Sequence, residues 1–119
     1  MRSWAVVALG GVIGATCRWL TGELLTGRPG EFPWATFVVN VLGCFLIGIA
    51  AARLARDSLW WDGLVVGALG GLTTFSAFSV ETRQLVDADR PGVAVVYVIA
   101  SIGVGVLAVE VTRAASGHR

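Results

Sequence analysis

Residues 67–79 read Gly67-Ala-Leu-Gly-Gly-Leu-Thr-Thr-Phe-Ser-Ala-Phe-Ser79, inside an apolar run that extends over 59–80. A run of that length matches the roughly 20 residues that cross a bilayer as a helix. Two adjacent glycines followed by Thr73, Thr74, Ser76 and Ser79 are foreign to such a helix, and a break in it is expected here. Non-helical backbone at membrane depth frees carbonyls, which is tolerated only where protein, water or an ion meets them; freed carbonyls make a cation site. Gly63, Gly67, Gly70 and Gly71 also offer a close-packing face. The two readings combine, with the glycine face packing and the threonines opening the turn. Phe75 and Phe78, three apart, project to one side of any helix after the break. Their rings have positive edges that can meet an anion, although paired phenylalanines more commonly face lipid or core.

Outward from this segment, three further apolar runs at 4–25, 32–52 and 93–111 have similar lengths, separated by short polar breaks. The fold class is therefore an all-α membrane protein of four transmembrane helices with the third broken, forming one domain over 1–119. Of the 119 residues, 55% are apolar and only 14% charged, and the mean hydropathy is +0.77. A soluble chain this short leaves roughly a third of its unfolded surface exposed, so the solvent implied is membrane lipid. Nine basic against eight acidic residues, net +1, give no nucleic-acid footprint. Ten-residue alternation is missing, which argues against a barrel. Trp4, Trp34, Trp60 and Trp61 stand at the starts of runs and Trp19 toward the end of the first, as interfacial anchors do. The first run, broken by Arg18, reads as a permanent helix and not a cleaved signal. Cys17 and Cys44 lie within runs as small apolar filler.

With four spans, Arg2, Arg53, Arg56, Arg113 and Arg119 fall on one side and Arg28, Arg83 and Arg90 on the other, with Arg18 nearer the second. So small a bias hardly selects an orientation under the positive-inside rule. Two copies inserted oppositely can pair antiparallel, and the resulting eight helices can enclose a pathway that four short ones scarcely surround.

Polar side chains inside the runs are few, and each is costly without a partner or a wet cavity. Asn40, Cys44 and Gly48 share a helical face; Asn40 either ties helices together or lines a pathway. Tyr97, Ser101, Gly105, Ala108 and Thr112 form a small, hydroxylated stripe that should face protein or water. Arg18, four residues beyond Gly14 of the Gly10-Gly11-Gly14 face, either snorkels to the interface or presents a cation at a pathway mouth. Glu81 reads as an ordinary helix-end charge. The single histidine, His118, lies near the C-terminus, and no serine has a plausible His and carboxylate, so an enzyme is not indicated.

Three motifs, Gly10-Gly-x-x-Gly-Ala-x-x-Arg18, Val39-Asn-x-x-Gly43-x-Phe-x-x-Gly48 and Gly70-Gly-Leu-Thr-Thr-Phe-Ser-Ala-Phe78, with Tyr97 and Ser101 beyond them, resemble the Fluc (CrcB-type) fluoride channels. That resemblance implies a dual-topology antiparallel homodimer in a bacterial plasma (inner) membrane, exporting toxic fluoride passively through two pathways. It implies a pathway lined by Asn40, Thr74, Phe75, Ser76, Phe78, Tyr97 and Ser101, with Asn40 donating to the ion and Arg18 in the vestibule. It also implies a structural sodium ion at the dimer centre, held by the backbone carbonyls of Gly70 and Thr73. The chain departs from the family at Ala77, often a hydroxyl there, and at Gly105, where the hydroxyl stripe stops. Two alternatives remain at this point. A small multidrug-type cation exporter would need a carboxylate deep in the first span, where only Glu23 stands, at its end. A non-transporting assembly subunit needs no more than the glycine faces.

Overall fold

The computed structural model describes residues 3–117; Met1, Arg2, His118 and Arg119, including two of the arginines weighed for orientation and the single histidine, lie outside the described residues. Helix α1 covers Trp4–Leu24 and α2 covers Trp34–Arg53. Helix α3 is wound with i→i+5 bonds over Trp61–Leu69 and as an α-helix over Gly70–Leu72. Helix α4 covers Phe75–Asp87, and α5, opened by a proline in its first turn, covers Pro91–Ser116. Taken as one broken stretch, α3 and α4 give the third of four helices long and apolar enough to cross a membrane. The third stretch runs on to Asp87, beyond the end of its apolar run. It stops at a tight turn in which Asp89 adopts a positive φ of 58°, a conformation that short polar side chains tolerate.

Helices α1 and α3 form one close pair, and α2 and α5 another, with α4 laid against α5. The first pair meets backbone to backbone. A Cβ placed on Gly10 would meet the Gly63 carbonyl oxygen, one on Gly14 that of Ala68, and one on Gly71 that of Gly11. Here the glycine face packs as expected, with one correction. Gly70 is exposed and points away from it; a Cβ there would find only the Val65 carbonyl oxygen, at 3.9 Å. Gly70 is also ordinary right-handed helix, with φ −61° and ψ −37°, so it does not form a tight turn. The backbone opens at Thr73 (φ −84°, ψ 153°) and Thr74 (φ −149°, ψ 120°).

In the second pair the stripe on α5 faces α2. Tyr97, Gly105 and Thr112 are buried, Thr112 fills the space beside Gly48, and Cys44 Sγ lies against Gly105. The opposite face of α5 shows Val95, Val96, Ile99, Ile102, Val106, Leu107 and Val111 to the outside. Large apolar side chains cover much of the exterior, while among the described residues the buried apolar core holds only Val39, Val65, Leu72, Leu85, Ala94 and Tyr97. That distribution suits hydrocarbon as the surrounding phase. Trp4, Trp19, Trp34 and Trp60 are exposed, whereas Trp61 is half-buried and carries the Arg56 guanidinium over its ring at 5.4 Å.

Candidate functional site

A helix that ends inside a bilayer must settle its terminal backbone groups. At the end of α3 the Leu69 carbonyl is settled, accepting from the Thr73 N–H at 3.0 Å and from Thr73 Oγ1 at 2.9 Å. Among the described residues no hydrogen bond reaches the carbonyl of Thr73. Thr74 is settled by a side chain of α2. Its N–H donates to Asn40 Oδ1 at 2.8 Å and its carbonyl accepts from Asn40 Nδ2 at 3.0 Å. The Thr74 hydroxyl then caps α4 by accepting from the Ala77 N–H at 3.1 Å, and it lies 3.2 Å from Ser76 Oγ.

Two concavities flank the break. On one side is a groove of about 470 Å³ that includes Asn40, Thr73, Thr74, Phe75, Phe78 and Ser101 in its wall. The Phe75 and Phe78 rings are 5.8 Å apart between centroids, and Phe78 lies 5.1 Å from Tyr97. Phe75 is 79% exposed, and Ser101 Oγ is buried without a hydrogen-bond partner among the described residues. On the other side is a vestibule of about 730 Å³ whose lining includes Arg18, Thr36, Thr74, Ser76 and Glu81. Thr74 belongs to both walls. Arg18 is half-buried there, so its side chain faces the vestibule.

Tyr97 lies fully buried and donates its hydroxyl to Glu81 Oε2 at 2.8 Å, while Thr36 Oγ1 donates to Glu81 Oε1 at 2.7 Å. Glu81 is thus no free helix-end charge but the anchor of α4 between α2 and α5. Asn40, Thr74, Phe75, Phe78 and Ser101 lie together in the wall of the groove; Tyr97 borders them through Phe78, and Ser76 lines the vestibule.

The family model described as CrcB-like protein, camphor resistance (CrcB), matches residues 5–113. The chain belongs to the CrcB-like family. Several curated relatives are named fluoride-specific ion channel FluC. The CrcB-like chain is 47% identical over 113 residues to the one from Novosphingobium aromaticivorans, an alignment covering 89% of each. It is 42% identical over 110 residues to that from Oceanobacillus iheyensis, covering 89% of this chain and 84% of the relative. The Thermus thermophilus relative is 40% identical over 109 residues, with 88% and 87% covered. With four helices of spanning length and bacterial relatives along nearly the whole chain, this CrcB-like protein is a multi-pass protein of the bacterial inner membrane.

Sequence reasoning missed Thr36 and undervalued Glu81. The signal was in the spacing: Thr36 lies four residues before Asn40, and Glu81 three after Phe78, each on the same helical face as a residue already singled out. Removing one donor from the Glu81 carboxylate tests the triad in this CrcB-like chain. Tyr97→Phe is expected to destabilise the protein by about 1.5–3 kcal/mol, the range for hydrogen bonds to charged groups. Chemical unfolding in detergent measures it; a change below about 0.5 kcal/mol, the scale of a neutral surface substitution, would sink the anchoring role.

Proposed function

We propose that the protein is a fluoride-selective channel that lets toxic fluoride leave the cell passively, working as an antiparallel dual-topology homodimer. One observation carries the reading: relatives named fluoride-specific channels match this chain through the break and across nearly its full length. The chemistry of the groove supports it. Fluoride is small and strongly hydrated, so a selective route must replace water with fixed donors and polarised ring edges in a narrow space. The wall that holds Phe75, Phe78, Asn40 and the unpartnered Ser101 hydroxyl offers both kinds of group. Thr74 joins that wall to the vestibule, where Arg18 supplies positive charge at the mouth and Ser76 a further hydroxyl, and Tyr97 backs the rings.

The second copy follows from what lipid cannot do. Gly70 is exposed and the neighbouring Thr73 carbonyl accepts no hydrogen bond among the described residues, and hydrocarbon would leave such a group unsatisfied at a cost of several kcal/mol. A partner copy covering this face, with a cation between the two, removes the penalty. The carbonyls of Gly70 and Thr73 suit a hard cation such as sodium, being oxygen donors beside the break, that of Thr73 with no competing hydrogen bond among the described residues. Bound there, the ion would supply charge to hold the two breaks together. The multidrug-exporter alternative lacks support, since Glu23 lies in the last turn of α1 and is exposed.

Purified protein in potassium fluoride-loaded liposomes is expected to release fluoride rapidly once the potassium counter-flow is opened, and to retain chloride under the same conditions. Lysines added after Arg113 should fix one orientation and remove that flux until an oppositely biased copy is co-expressed. Full flux from a single-orientation preparation would refute the antiparallel dimer; no fluoride flux from the unmodified protein would refute the channel.

A further inference from the structure

We infer that Asn40 is a positioning residue, whose amide pairs with both backbone groups of Thr74 and so fixes the direction in which α4 carries Phe75 and Phe78 along the groove. The inference rests on the fluoride reading only for what the two rings do.

The geometry is that of a strand neighbour. An extended residue in a sheet exchanges one N–H and one C=O with the residue beside it, and Asn40 Oδ1 and Nδ2 make that exchange with Thr74 at 2.8 and 3.0 Å. In a continuous helix the Thr74 N–H would go to the Gly70 carbonyl, and the carbonyl of an N-cap residue ordinarily accepts the first bond of its helix. Neither bond is made here, and among the described residues Asn40 is the sole hydrogen-bond partner of the Thr74 main chain. The residue before it is gripped by the same helix. Gly43 lies three positions beyond Asn40 on α2, and its missing side chain leaves the space that the Thr73 methyl occupies.

Thr74 is the N-cap of α4, and Phe75 is the first residue of that helix. The set of the Thr74 peptide groups therefore sets where the first turn points, and with it both rings. The far attachment of α4 to α2 is through Glu81 and Thr36, which lies one turn before Asn40. Two polar residues on one face of α2, Thr36 and Asn40, thus hold α4 at two heights. Asn40 serves the end that bears the rings. This differs from an amide acting on the ion itself: the two bonds Asn40 makes are spent on backbone, and each has the length of a fully formed hydrogen bond.

The test reads the break and the flux separately, on the dimer in lipid nanodiscs and liposomes, with 15N-threonine for the Thr74 amide and 4-fluorophenylalanine at position 75 for 19F NMR. In Asn40→Ala the Thr74 amide is expected to exchange about tenfold faster or more, the factor for losing a hydrogen bond. The position 75 signal should shift or broaden, flux should fall by a similar factor, and the other threonine amides should keep their protection. Asn40→Asp is the second variant in case the first does not fold. It can still accept from the Thr74 N–H but cannot donate to the Thr74 carbonyl, so the amide stays protected while the ring signal moves and flux drops. Loss of flux with an unchanged position 75 signal in either variant would overturn the inference and make Asn40 a direct ion contact. Wild-type flux with Thr74 released or the ring signal moved would overturn it equally. If unmodified protein passes no fluoride, the channel reading fails by itself, and the Thr74 and position 75 signals still decide whether Asn40 sets the rings.

Discussion

Phe75→Ile and Phe78→Ile are each expected to lower fluoride flux about tenfold or more, a rate factor that corresponds to ~1.4 kcal/mol and matches the strength of ring-edge interactions. The two substitutions differ in what else they disturb. Phe75 is 79% exposed within the chain, its ring 5.8 Å from that of Phe78, so isoleucine there removes little packing. Phe78 lies against Tyr97 and the Leu85–Ala94–Tyr97 cluster, and a bulky aliphatic replacement should cost about 1.5 kcal/mol or less. Flux and folding should therefore separate most cleanly at Phe75. Efflux from liposomes and elution in detergent, measured on the same preparations, give the comparison. Near-normal flux in both variants with intact dimers would remove the rings from the pathway, and loss of the dimer in both would return them to packing.

Gly14→Val is expected to prevent folding or to cost more than ~3 kcal/mol, and Gly103→Ala to be neutral or mildly stabilising. Both residues sit in helices and both are glycine, so propensity alone would make each substitution favourable by up to about 1 kcal/mol. Surroundings decide otherwise. A Cβ on Gly14 would fall on the Ala68 carbonyl oxygen and come within 2.8 Å of the Leu72 nitrogen, all backbone that cannot turn aside, whereas one on Gly103 meets nothing within 4 Å. Thermal unfolding of both variants in one detergent provides the measurement. A Gly14→Val protein as stable as the parent would show that α1 and α3 do not meet backbone to backbone.

The helices were legible because each apolar run is as long as a bilayer is thick and ends in turn-forming residues, a one-dimensional property. The break was legible, with the threonines opening it, but the partner that holds it open was not. Gly70 and Gly71 accept helical angles as readily as any others, and the chain opens at Thr73–Thr74, where Asn40, 34 positions earlier, takes over the backbone pairing. No local pattern announces such a partner. The stripe from Tyr97 to Thr112 was legible because helical spacing alone puts those residues on one face. Glu81 was misjudged for a related reason. Its place just past an apolar run reads as the membrane edge, yet α4 continues to Asp87 and its partners come from α2 and α5.

The broken third stretch belongs to both halves of the molecule at once. Its first part is locked by main-chain contact to α1 and its second part is laid on α5, so the two extended residues Thr73 and Thr74 are where one half hands the chain to the other. The groove and the vestibule both lie along that seam. A small shear of one half past the other would therefore change the width of both concavities while each helix pair stayed packed as it is.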